Sequence, residues 1–124
     1  MTTTTLERPA EQAIQAVDLD QMSQNARQAS EFLKALSHES RLMILCLLMQ
    51  KERSVTELEE VLGIRQASVS QQLQRLRGER LVSTRRVGKQ IYYSLASEEA
   101  RAVISVLYDI FCKKMAETAA ATVN

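Results

Sequence analysis

A chain of 124 residues, 45% of them apolar and a quarter charged, has the composition of one ordinary globular domain. Its longest apolar run, Leu42 to Met49, falls well short of the about 20 residues that span a bilayer, so it is expected to be a buried helix and not a membrane anchor. The net charge of +1 by itself speaks against a polyanionic partner, but the charge is unevenly placed. Arg65 to Lys89 holds seven basic residues and one acid, Glu79, for a local +6, while the remaining nine basic and fourteen acidic residues sum to −5.

The first stretch, MTTTTLERPAEQ, has four threonines, Pro9 and no period, so residues 1–17 are expected to form a flexible tail. It lacks a basic start followed by an apolar core, which predicts no secretory signal, a cytoplasmic protein and reduced cysteines. Residues 18–117 form the expected domain. Leu19, Met22, Ala26, Ala29, Leu33 and Leu36 step by three and four, a heptad seam capped by either Asp18 or Asp20. Such a seam serves either as a dimer face or as packing on the chain's own core. Ser37 or His38 ends this helix, and a second, almost wholly apolar, runs from about Glu39 to Gln50. His38 is the only histidine, so a histidine-rich metal site is excluded and a helix-junction role is expected for it.

Lys51 to Ser54 is a polar turn in which Ser54 caps the next helix and Glu57, three residues on, completes a capping box. From Val55 to Leu76 two short amphipathic helices are separated by a turn at Gly63, a helix-turn-helix. Leu58, Val61 and Leu62 line one apolar face, and Val69, Leu73 and Leu76 line the other. That spacing is expected to turn Ser68, Gln71, Gln72 and Arg75 outward. Amides, hydroxyls and guanidinium are the groups that read base edges and hold phosphates in a major groove. Gln66, Ser68, Gln71 and Gln72 are the expected base readers, and Ser70 and Arg75 the phosphate contacts. Arg77 and Arg80 fit surface and dimer salt-bridge roles equally well.

Two strands come next, Leu81 to Arg86 and Gln90 to Leu95, joined at Val87, Gly88 and Lys89, with Ile91 and Tyr93 on one face and Tyr92 and Ser94 on the other. A hairpin directly after a recognition helix, with Arg85, Arg86 and Lys89 about its tip, forms a wing that can grip the DNA backbone or minor groove. Ser97, Glu98 and Glu99 open the last helix, whose stripe runs through Ala100, Val103, Ile104, Leu107, Phe111 and Met115; residues 118–124 are expected to fray.

The order α-α-α-α-β-β-α is mainly α with a small β-hairpin. Together with LKALSHESRLMILCLL, SVTELEEVLGIRQASVSQQLQRLR and VGKQIYYSL, it resembles the ArsR/SmtB family of dimeric winged-helix repressors over roughly Ala29 to Met115. The resemblance implies a winged helix-turn-helix homodimer built on the first and last helices. Its two recognition helices would lie in successive major grooves of an inverted repeat, and an inducer would relieve repression. The chain departs from the family's metal sensors. A Cys-x-Cys pair on the third helix would fall at Ser54 and Thr56, and a last-helix site needs Asp and His where residues 98–117 have no histidine; Asp109 and Glu117, eight residues apart, do not make a transition-metal site. No metal and no cofactor are therefore expected.

Cys46 on the second helix and Cys112 on the last are, in one reading, small buried hydrophobes. Their surroundings, RLMILC and LYDIFC, are similar to those in the sulfide- or persulfide-responsive two-cysteine branch of the family. That likeness implies a reduced form that binds DNA and reactive sulfur species that release it by linking Cys46 and Cys112 through a disulfide or polysulfide. Lys113 and Lys114 beside Cys112 favour its thiolate as the more reactive. Peroxide or electrophile sensing, a constitutive regulator with structural cysteines, and a protein-interaction module that binds no DNA are the alternatives; the last leaves the +6 segment unexplained. Enzyme chemistry is not expected, for there is no glycine-rich phosphate loop, no CxxC pair and no catalytic set around the single histidine.

Overall fold

The computed structural model describes residues 18–113. The expected tail at 1–17, the part of the expected domain at 114–117 and the expected frayed end at 118–124 lie outside the described residues. The chain divides into two compact units, Met1–Lys34 and Ala35–Asn124. The described part of the first is the helix α1, Leu19–Leu36, whose last two residues belong to the second unit. Of the two candidate caps it is Asp18 that serves, its carboxylate accepting from the Gln21 amide at 2.7 Å. Along the expected seam, Leu19, Met22 and Leu33 are exposed.

In the second unit a helix that is apolar on every side, α2, Glu39–Gln50, buries Ile44, Leu45 and Leu48. His38 is its N-cap, with extended backbone and a ring Nδ1 that accepts from the Ser40 amide at 3.1 Å. The helix α3, Val55–Leu62, the recognition helix α4, Gln66–Gly78, the strand β3, Gln90–Leu95, and the last helix α5, Glu98–Leu107, all pack on α2. The apolar stripes of the two motif helices supply Leu58 from α3 and Val69, Leu73 and Leu76 from α4 to the same core.

The stretch before α3 is not only a turn. Arg53–Ser54 forms a short strand, β1, which pairs antiparallel with β3, Arg53 opposite Tyr93 and Ser54 opposite Tyr92. The hairpin expected from sequence is thus part of a three-stranded antiparallel sheet in the order β1-β3-β2, with β2 at Val82–Val87. An N-cap residue needs extended backbone, which Ser54 has (φ −83°, ψ 167°), and the fold brings that extended backbone to the edge of β3, where it pairs. The capping box is complete. Ser54 Oγ accepts from the Glu57 amide at 3.2 Å and the Glu57 carboxylate accepts from the Ser54 amide at 2.8 Å. Gly63 closes α3 in the left-handed conformation (φ 67°), donating to Glu59 O at 2.8 Å.

The helix α4 ends at Gly78, as its sequence suggests, although that glycine is not the residue in the left-handed conformation. It is Arg80 that adopts it (φ 62°). The Arg80 amide donates to Arg77 O and the Leu81 amide to Leu76 O, both at 2.9 Å, and Leu81 and Leu76 are both buried. These are the two bonds of a Schellman end, with arginine where glycine is usual. The strand β2 begins one residue later than expected and includes Val87, leaving Gly88 and Lys89 as a two-residue turn whose first position has φ 62°. Positive φ at the first position only is the pattern of a type II′ hairpin, where glycine is preferred. Tyr93 is buried; Ile91, on its face but nearer the tip, is exposed.

Ser97 caps α5 by accepting from the Ala100 amide at 3.0 Å, and Ala100 and Ile104 are buried. From Tyr108 to Lys113 the helix continues with π geometry, not the α geometry the periodicity predicts. The i→i+5 pattern adds a residue to the turn and rotates the later side chains about the axis. Phe111, on the expected stripe, is 66% exposed, and Met115 lies outside the described residues. The whole is a winged helix-turn-helix.

Two substitutions at the ends of the motif helices should act with opposite sign in urea denaturation. Ser54→Ala, which removes the cap oxygen, should lower stability by about 1 kcal/mol. Arg80→Gly, which removes a left-handed non-glycine residue, should raise stability by up to about 1 kcal/mol.

Candidate DNA interface and thiol cavity

The helix α4 spaces its buried residues as Val69, Gln72, Leu73 and Leu76, so its opposite face is Ala67, Gln71, Gln74 and Gly78, flanked by Ser70 and Arg75. Gln66 and Gln71 are exposed, and Ser68 and Ser70 are half-buried. No acidic residue lies in the first turn, which leaves the positive end of the helix dipole open to a phosphate. Arg75 is exposed and reaches Glu79 only at 3.9 Å, a solvated pair that holds it loosely.

Gln72 is not on the outer face. It is only 9% exposed, and its Oε1 accepts from Arg41 Nη1 at 2.8 Å, while Arg41 Nε donates to Ala35 O at 2.6 Å. Three residues after Val69 and four before Leu76, Gln72 shares the core stripe, and a long amide reaches a partner there without exposing itself. Arg41 is held with its charge partly desolvated, which with the neighbouring Arg75 lowers its pKa from the ordinary value. Gln72 therefore fastens the recognition helix to the start of α2. Gln74, absent from the expected set, is exposed on the outer face, and its position three residues after Gln71 was the signal.

Arg85 also has a different place from the one its sequence context suggests. Its Nε donates to both Glu52 oxygens at 3.0 Å, its Nη2 bonds Glu52 Oε1, and its guanidinium carbon lies 5.4 Å from the centre of the Tyr92 ring. Glu52 takes a further bond from Ser94 Oγ at 3.3 Å. The hydrogen bond from Arg85 holds the Glu52 carboxylate below its usual pKa, and the same contact raises that of Arg85. Arg85 thus braces the wing against the turn after α2. Arg86 and Lys89 are exposed and make no ion pair among the described residues, which leaves them as the wing's available cations.

Cys46 is half-buried and Cys112 exposed, and no disulfide joins them. Both line one cavity of about 550 Å³ walled by α2, the end of α3, α5 and the π-helical turn. Desolvation pushes the Cys46 thiol above its ordinary pKa, and the nearby Cys112 adds in the same direction. Cys46 is therefore a protonated thiol at neutral pH, while Cys112 sits where solvent and solutes reach it. Among the described residues no three metal-ligating side chains are grouped to hold an ion.

Known proteins resemble the chain both in sequence and in fold. The sequence model described as bacterial regulatory protein, arsR family, matches residues 38–84, from the cap of α2 into β2. A biofilm growth-associated repressor of Agrobacterium fabrum is 46% identical over 112 residues, 90% of this chain and 94% of that protein. The transcriptional activator HlyU of Vibrio cholerae is 39% identical over 97 residues, covering 78% of this chain and 90% of its own. The crystal structure of the transcriptional repressor BigR from Xylella fastidiosa superposes with a TM-score of 0.71 at 43% identity, over 78% of this chain and 96% of that one.

Two measurements separate the roles. Gln71→Ala should weaken operator binding with unchanged unfolding. Gln72→Ala should instead lower stability by about 1.5 kcal/mol or more, the scale for a hydrogen bond to a charged group. In salt titrations of DNA affinity, Arg86→Ala should reduce the log–log slope by about one, and Arg85→Ala should reduce it by less than half as much.

Proposed function

The chain belongs to the ArsR family of bacterial regulatory proteins and is a DNA-binding transcriptional regulator, not an enzyme; on that premise we propose that it acts as a homodimeric repressor switched by its two thiols. In the reduced form it holds an inverted-repeat operator. Reactive sulfur species, persulfide or polysulfide, link Cys46 to Cys112 and release it.

The observation that carries the reading is that two cysteines far apart in sequence line one cavity. Exposure makes Cys112 the attacking thiol, and burial makes Cys46 the resolving one. A plain disulfide needs Cα atoms within about 7 Å, and additional sulfur atoms would relax that limit. Either link ties α2 to the last helix. Because α4 packs on α2 and is bonded to it through Gln72, a shift of α2 is passed to the recognition helix. In a dimer whose half-sites lie about 34 Å apart, a change in the spacing of two such helices lowers affinity.

The DNA contacts come from the outer face of α4 and the wing: Gln66, Ser68, Gln71 and Gln74 toward bases, Ser70 and Arg75 toward phosphate, and Arg86 and Lys89 along the backbone. The sign of regulation is taken from the Agrobacterium relative, a repressor, which matches over 90% of this chain. The Vibrio relative is named an activator, so the effect on transcription belongs in the test.

With promoter DNA in a mobility-shift assay, the reduced protein should bind and treatment with an organic persulfide should weaken binding by at least about tenfold, a typical allosteric coupling. Cys46→Ser and Cys112→Ser proteins should keep their affinity after treatment. Release of either variant would rule out the dithiol link, and equal release of wild type by hydrogen peroxide would assign the switch to oxidants in general. In a reporter strain, deletion of the protein should raise transcription from the bound promoter.

A further inference from the structure

Neighbouring arginines in β2 have opposite fates. In the register of the hairpin Arg85 stands opposite Tyr92 and Ser83 opposite Ser94, so these four share one face of the sheet, whereas Arg86, opposite Ile91, lies on the other face with buried Tyr93. Over the first face lies Glu52, from the turn between α2 and β1. Its carboxylate spans both strands of the hairpin, accepting from Arg85 Nε at 3.0 Å on each oxygen, from Arg85 Nη2 on Oε1 and from Ser94 Oγ at 3.3 Å on Oε2. The Arg85 side chain is nevertheless 59% exposed. It is a cation at the surface of the wing, two residues before the end of β2, that already holds an anion of the chain's own.

Resting on the reading that the wing grips the DNA backbone, we propose that Glu52 is an internal counter-ion that withholds Arg85 from DNA phosphates and so limits the protein's affinity for duplex of any sequence. A planar guanidinium meets a carboxylate and a phosphate in the same forked geometry, so the two anions compete for one site. Glu52 holds the advantage because it is already in place. The bond from Ser94 and the short turn aim its carboxylate, and the guanidinium carbon of Arg85 is kept 5.4 Å from the centre of the Tyr92 ring. A phosphate that took Arg85 would leave a bare carboxylate beside a polyanion. Paired with Glu52, Arg85 displaces no counter-ion from the duplex, and Arg86 and Lys89 carry the salt-dependent contact of the wing.

A counter-ion and a simple brace predict opposite signs for one substitution. Glu52→Gln keeps the size of the side chain and an oxygen that can accept from Arg85, but it removes the negative charge. If Glu52 only braced the wing, DNA binding would weaken as the wing loosened. If Glu52 withholds a cation, DNA binding strengthens. The freed guanidinium lies about 7 Å along the strand from the end of β2, and a duplex carries one negative charge per about 1.7 Å of its axis, so a phosphate is within reach on DNA of any sequence.

The test measures the affinity of the full-length reduced protein for a random-sequence duplex by fluorescence anisotropy across a series of salt concentrations. Glu52→Gln should steepen the log–log salt slope by about one for each bound protomer and raise affinity at least about fivefold at about 0.1 M salt. In an Arg85→Ala background the same substitution should leave both unchanged. In the wild type, the Arg85 Nε–H signal in proton–nitrogen NMR, assigned by its loss in Arg85→Ala, should keep its position when the duplex is added; in Glu52→Gln it should move. Unchanged or weaker binding by Glu52→Gln would overturn the proposal and leave Glu52 as a brace. A gain that survives Arg85→Ala would overturn it in favour of plain repulsion between Glu52 and DNA, and an Arg85 signal that moves in the wild type would overturn it without recourse to any Glu52 variant. A salt slope that Arg86→Ala leaves unchanged would overturn the grip of the wing itself, and the proposal with it.

Discussion

A helix that is apolar on every side can persist in water only if other elements enclose it, and α2 imposes that requirement on the rest of the second unit. With Ile44, Leu45 and Leu48 buried, its surroundings must be supplied by α3, α4, α5 and β3. The motif helices accordingly turn their leucine and valine stripes toward it, and their polar faces are what remains for DNA. The recognition surface is thus the complement of the core, and its orientation is set by what α2 has to bury.

Apolar packing of this kind is non-directional, and three polar ties give it direction. Arg41 with Gln72 pins α4 to the start of α2, Arg53 closes the end of α2 on Leu47 O and Gln50, and Glu52 with Arg85 braces the wing on the turn just after α2. All three start from residues in or next to one helix. A displacement of α2 therefore reaches both elements proposed to contact DNA. The side of α2 that borders the thiol cavity presents Leu42, Met43 and Cys46, none of which takes part in these ties.

Two of the ties take polar residues out of the surface that their sequence context would give them. Gln72 belongs by composition to an amide-rich recognition face and Arg85 to a basic wing tip, but each is spent within the fold. The set proposed to face DNA is smaller on the wing and shifted on the helix, where exposed Gln74 takes a place beside Gln71. The local +6 of residues 65–89 remains an argument for a polyanionic partner, although Arg85, paired with Glu52, adds less to the field than its charge would suggest.

What the sequence determined by itself is what depends on neighbours along the chain. The periods of three and four placed each helix, the Ser54–Glu57 spacing set the capping box, Gly63 and Gly88 marked turns that need positive φ, and the departures at Ser54 and Thr56 left no thiolate pair on α3. These are interactions within a few residues, which a linear pattern encodes directly. The fate of Gln72 was half legible, since its place in the stripe of Val69, Leu73 and Leu76 was visible but its partner Arg41, in another helix, was not. Only the tertiary structure decided the rest: the pairing of Arg53–Ser54 with β3, the bracing of Arg85 by Glu52, the π turn under Cys112, and the single cavity shared by Cys46 and Cys112. Each of these except the π turn joins residues far apart in sequence. Their meeting depends on how helices close around α2, a property of the enclosed volume and not of any local run of residues.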